Sequence, residues 1–156
     1  MENDPLELSA FPAEGIHDPM ALALNGERFG SFREEPETRS IRVRLRDGRT
    51  FRLIPDSWVG EAVRLVEVRE DAPPGPAEQR AQKEGLLAGG WKLRLSPGEA
   101  RLGLAELFAT RREVRSGPSV WAEVHPDDED GWRVRARREL RELDLLLIGL
   151  VHHAFG

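Results

Sequence analysis

The chain has no cysteine and no tyrosine, and only two of its 23 cationic side chains are lysine, Lys83 and Lys92. The first absence excludes disulfides, thiolate zinc sites and cysteine nucleophiles together. The N-terminal "MENDPLEL" has no charged segment followed by an apolar one, so no secretory signal is read there and a cytoplasmic location is expected. Long apolar runs are also missing. The longest, Leu145 to Val151, is seven residues. As a helix it would reach about 10 Å, against a bilayer core of about 30 Å. No G-x-S-x-G, Walker A, G-x-G-x-x-G or H-E-x-x-H pattern occurs, so no catalytic residue is assigned and no cofactor or metal is expected. Acidic groups outnumber basic ones, 28 to 23, for a net charge of −5, which counts against a general nucleic-acid binder.

What is present suits one domain. The chain's 156 residues, 39% of them apolar, can bury a single core. Pro73, Pro74 and Pro76 mark a loop near 71–79 inside one domain spanning 1–156, because each half alone would make a poor core. Asn25-Gly26, in "MALALNGERFGSF", supplies two positive-φ positions for a type I′ hairpin turn. In "SIRVRLRDGRTFRLI", Ile41, Val43 and Leu45 alternate with Arg42, Arg44 and Arg46 before Asp47-Gly48, and Phe51 and Leu53 continue the alternation. A period of two sends the aliphatic set to one face and the arginines to the other.

Ala62 to Arg69 reads as a strand with helix as the alternative, and "AEQRAQKEGLLAGG" as a short helical turn ending at Gly85 or Gly89. Further strands are expected in "GWKLRLS", over Leu102 to Ala109, in "SVWAEVH" and in "GWRVRARR". The C-terminal "ELDLLLIGLVHHAFG" is apolar in every direction of a helical wheel and leucine-rich, which favours a buried helix. Asp144 is placed to cap it or to favour its N-terminus electrostatically. Several one-sided strands and one helix apolar all round predict a mainly β (α+β) fold, an antiparallel barrel or strongly curved sheet around the C-terminal helix.

Candidate sites are few. Arg42, Arg44 and Arg46 form one same-face row, which Arg52 would extend; Arg133, Arg135 and Arg137 form another. Brought together, the rows would make an anion-binding surface, although alternating charge is also what any solvated strand face carries. "HPDDEDG" fails the calcium-loop pattern, since anchoring on Gly131 puts Pro126 and Arg137 where ligands belong. His152 and His153 point about 100° apart on a helix and read as the polar end of the buried stretch rather than a metal pair. Trp58, Trp91, Trp121 and Trp132 read as core anchors.

The segment "VWAEVHPDDEDGWRVRARRELRELDLLLIGLVHHAFG", strand, turn, strand and short apolar helix, resembles the closing segment of the Tubby C-terminal-like superfamily, which includes phospholipid scramblases and LURP-one-related proteins. The small-residue run Leu147 to Leu150 and the hairpins "LNGERFG" and "LRDGRTFRL" suit that family. The resemblance covers about 37 residues and carries over no functional residue, because no phosphoinositide-binding lysine-arginine motif is matched. It implies a closed antiparallel barrel around a C-terminal helix, with binding to anionic lipid as an inherited expectation. The expected function is therefore a non-catalytic binding or adaptor domain. Its partner would be a protein or an anionic phospholipid surface, with peripheral membrane association in the second case. A small-ligand carrier or enzyme with its site at the barrel mouth, near His152 and His153, is the rival.

Overall fold

The computed structural model describes residues 5–13, 19–35, 37, 40–55, 62–69, 73, 79–84, 90–104 and 110–155. Twelve strands run as β1 (Glu7–Pro12), β2 (Met20–Leu24), β3 (Glu27–Glu35), β4 (Ser40–Leu45), β5 (Thr50–Pro55), β6 (Ala62–Val68), β7 (Gln79–Glu84), β8 (Gly90–Leu95), β9 (Gly98–Leu104), β10 (Arg112–Ser116), β11 (Ser119–Pro126) and β12 (Trp132–Ala136). Each pairs antiparallel with its sequence neighbours, and β1 pairs with β12, so the sheet closes into a barrel. One helix, α1 (Glu142–Phe155), follows. Closure leaves the sheet of described strands without an edge.

The alternation seen in the sequence is the barrel's inside-outside code. Ile41, Val43 and Leu45 of β4 are buried while Arg42 and Arg44 are exposed. Trp91, Leu93 and Leu95 of β8 are likewise buried, with Lys92 and Arg94 exposed. These inward faces surround α1, whose Asp144 through Val151 are all buried. Asn25 and Gly26 both have positive φ, 50° and 84°, as the type I′ turn requires.

Two expectations change. "QRAQKE" is strand β7, not a helical turn: Gln79 and Ala81 point inward and Arg80 and Gln82 outward, in register with β6 and β8. A continuous wall overrides the helix preference of Gln, Ala and Lys. The strand expected from Leu102 to Ala109 begins earlier, at Gly98, where Leu95 pairs with Gly98 across a tight turn, and is described as far as Leu104; residues 105–109 lie outside the described ones. β1 and β10 have no counterpart among the expected strands. The Pro-rich segment near 71–79, apart from Pro73 and Gln79, and Trp58 also lie outside the described residues.

Two contacts set the helix inside the wall. At its N-terminal end Asp144, with no exposed surface, accepts from the Gln79 amide (3.2 Å), from Ser96 N–H (2.9 Å) and Oγ–H (3.0 Å), and from Arg141 N–H (2.9 Å). The last bond is a third-position carboxylate reaching back to the residue before the helix, half of a capping box. The others latch α1 to β7 and to the β8–β9 turn. Toward the other end, a Cβ at Gly149 would fall on the Trp132 ring, so the small residue in the apolar run is what lets the indole lie on the helix. One turn later, Trp132 Nε1–H donates to His153 Nδ1 (3.2 Å). Trp91, Trp121 and Trp132 are all buried in the core.

Candidate functional site: an arginine face on β3 to β5

Barrel closure decides the fate of the two arginine rows. β12 and β4 are separated by β1, β2 and β3, so the rows do not meet. On β12, Arg133 pairs with Asp127 (3.1 Å), and just past its end Arg137 lies 3.7 Å from Glu123. Arg135 stands in register between Glu7 and Glu123. That face is a charge-balanced, solvated surface.

The β4 row has different neighbours. Arg42 stands directly opposite Arg33 on β3 and Arg52 on β5, so three guanidinium side chains line up across three adjacent strands about 4.8 Å apart. Arg44 lies beside them, opposite Ser31 and Thr50. Like charges directly opposite each other destabilise a sheet, so this row works against folding unless something offsets it. Glu35 approaches Arg52 at 3.4 Å. Among the described residues Arg33, Arg42 and Arg44 have no ion-pair partner. Among the described residues four cations stand here against one carboxylate, on a chain whose net charge is −5.

Shape adds to charge. Ser31 is small where its neighbours are long, and a groove of about 590 Å³ opens there, lined by Pro19, Ser31, Phe32, Arg33, Glu35, Arg42 and Arg44. The Nε of Arg52 is buried without a hydrogen-bond partner. Arg46 does not share the groove; it sits past the end of β4, in the turn with Asp47 and Gly48. A cluster of planar, always-charged forks is suited to phosphate or carboxylate oxygens.

Sequence reasoning identified Arg42, Arg44 and Arg52 here but missed Arg33. Its one signal was an outward position on a hairpin strand, and that gains meaning only from the β3–β4 register.

At the barrel mouth His152 and His153 have separate roles. His153 faces Trp132, Phe32 and Glu34, with its Nε2 3.5 Å from Glu34 Oε1 and its ring edge-on to Phe32. Burial lowers its pKa, with Glu34 and Asp130 opposing that shift. Burial, then the nearby Arg112 and His153, push His152 down to about 4. The folded protein therefore holds both rings neutral at pH values where the unfolded chain, titrating near 6.5, takes up protons. This contribution to stability is complete above about pH 6.5 and is lost as the pH falls toward about 4. Thermal midpoints followed from about pH 7 to about pH 4.5 should fall, and His152→Gln should make the fall shallower. Equal slopes for the two proteins would remove His152 from this account. Among the described residues no group of three or more histidine or acidic side chains is arranged to hold a metal ion.

No protein-family model, no curated protein and no solved structure matches the chain. No helix among the described residues is long and apolar enough to cross a membrane.

Proposed function

We propose that this protein is a non-catalytic binding module that takes an anionic ligand on the outer face of β3 to β5, and that its ligand is the phosphate-bearing surface of an anionic phospholipid membrane. The observation that carries this reading is the cross-strand row Arg33–Arg42–Arg52 with Arg44 beside it, concentrated on one face of an acidic protein. Like-charge crowding costs stability in the free protein, and that cost is offset when anionic oxygens bind between the guanidinium groups. The Tubby-like resemblance, with its barrel around a C-terminal helix, supports choosing lipid among anionic ligands.

Co-sedimentation with vesicles tests this reading. The protein should pellet with phosphatidylcholine vesicles containing phosphatidylserine and stay in solution with phosphatidylcholine alone. Binding should weaken progressively between about 50 mM and about 500 mM salt. The double variant Arg42→Glu/Arg44→Glu should bind at least about tenfold more weakly, each reversal removing roughly 1 kcal/mol of surface attraction. No sedimentation with anionic vesicles at low salt would remove the lipid assignment. Capture of an acidic protein through the same arginines would replace it.

A further inference from the structure

The mouth of the barrel at the C-terminal end of α1 holds a second set of cationic groups, distinct from the outer face. Arg112 opens β10 opposite Leu104 on β9 and Val124 on β11. Val124 is fully buried and points inward, and in-register neighbours share a face, so the Arg112 side chain leaves the wall on the inner side. Burial depresses its pKa, yet among the described residues it has no hydrogen bond or ion pair. His152 faces it from the helix, close enough that the guanidinium helps keep the ring neutral.

Three buried side-chain nitrogens lack a hydrogen-bond partner among the described residues. One, Arg52 Nε, belongs to the outer face; the others are Arg111 Nε and His152 Nδ1. One of these, His152 Nδ1, lies on the helix side chain that faces Arg112. Buried donors without acceptors are costly, and a half-buried cation in an apolar wall more so.

The surroundings supply an apolar flank. Leu104, the register partner of Arg112, is 57% exposed. Phe155, one helical turn beyond His152, is 43% exposed and stacks on Trp91 at 4.6 Å between ring centroids.

We infer that this mouth binds a small organic anion, its carboxylate or phosphate oxygens held by Arg112 and His152 Nδ1–H and its apolar body lying against Leu104 and Phe155. An oxyanion bound there would select the neutral tautomer with its proton on Nδ1, which makes the ring a donor. The inference stands apart from the outer face, because β10 lies six strands from β4 around the ring.

The test uses the full chain with inorganic phosphate, acetate and benzoate as probes. Benzoate should raise the thermal midpoint saturably, and more than acetate at equal concentration. Its addition should also shift the ring resonances of His152 in the unaltered protein, an arm that needs no variant. Arg112→Gln should weaken the benzoate effect at least about tenfold, as expected for losing a charge-assisted contact, and His152→Gln should weaken it less. Arg42→Glu/Arg44→Glu should leave it unchanged. If none of the three anions gives a saturable shift, the site does not exist. If the outer-face variant abolishes the effect as fully as Arg112→Gln, the anion binds on β3 to β5 instead. Phosphate acting as strongly as benzoate would overturn the apolar part of the assignment.

Discussion

Removing the residues from Leu143 onward should leave no soluble, cooperatively folding protein. Leu145, Leu146, Leu147, Ile148, Leu150 and Val151 are all fully buried inside the barrel. At roughly 1.5–3 kcal/mol for each buried aliphatic side chain, they contribute about 9–18 kcal/mol as an upper figure. That matches or exceeds the net stability of an ordinary domain, about 5–15 kcal/mol. The loss is also double-sided. Leu8, Leu22, Val43, Leu93, Leu102 and Val134 have essentially no exposed surface in the intact protein, and without the helix the wall would face a cavity it cannot close. The truncated chain should be found in the insoluble fraction, and material refolded from it should show no sigmoidal urea transition. A soluble truncation with a sharp transition would mean that the strands form a core by themselves.

Replacing Asp144 by alanine should be the most damaging single change that removes no apolar surface. Four donors converge on this one carboxylate, three on Oδ1 and one on Oδ2. Alanine leaves the Ser96 N–H, the Gln79 amide and the Arg141 N–H without their acceptor. Buried orphan donors cost about 1–3 kcal/mol each, so a loss of about 3–5 kcal/mol is expected once the site relaxes. Asp144→Asn separates the two halves of the contact. Its carbonyl oxygen can keep the three Oδ1 bonds, whereas its amide meets the Arg141 N–H donor to donor. It should cost about half as much as alanine. Urea denaturation of the three proteins measures this directly. Equal costs for alanine and asparagine would place the stabilisation in the helix cap alone, and not in the latch to β7 and the β8–β9 turn.

The parts of this architecture legible in the sequence are those whose physics is local. The alternation around Arg42 and Arg44 depends only on a period of two. The type I′ turn depends on Asn25 and Gly26, and the buried helix on seven consecutive apolar residues. The barrel with a C-terminal core helix followed from combining them. What could not be read depends on register and on distant partners. β7 looks helical by composition and becomes a strand because a closed wall needs one there. Asp144 looked like a cap and is one, but its other partners, Gln79 and Ser96, stand 65 and 48 residues away. The arginine face has the same origin. Arg42 was visible, but Arg33 joins it only because the β3–β4 pairing sets the two directly opposite. Conversely, Arg133, Arg135 and Arg137 form an equally clear alternating row, and their acidic neighbours come from β1, β11 and the following turn. Two rows identical in pattern thus differ in chemistry because of the strands beside them.

An anionic ligand seated on β3 to β5 should be seen by NMR of the arginine Nε–Hε groups. The full-length protein would be titrated with a short-chain phosphatidylserine kept below its micelle concentration. The resonances of Arg33, Arg42, Arg44 and Arg52 should move together along one saturating curve, while those of Arg133, Arg135 and Arg137 stay in place. Movement confined to the β12 arginines, or no movement at low salt, would contradict that placement.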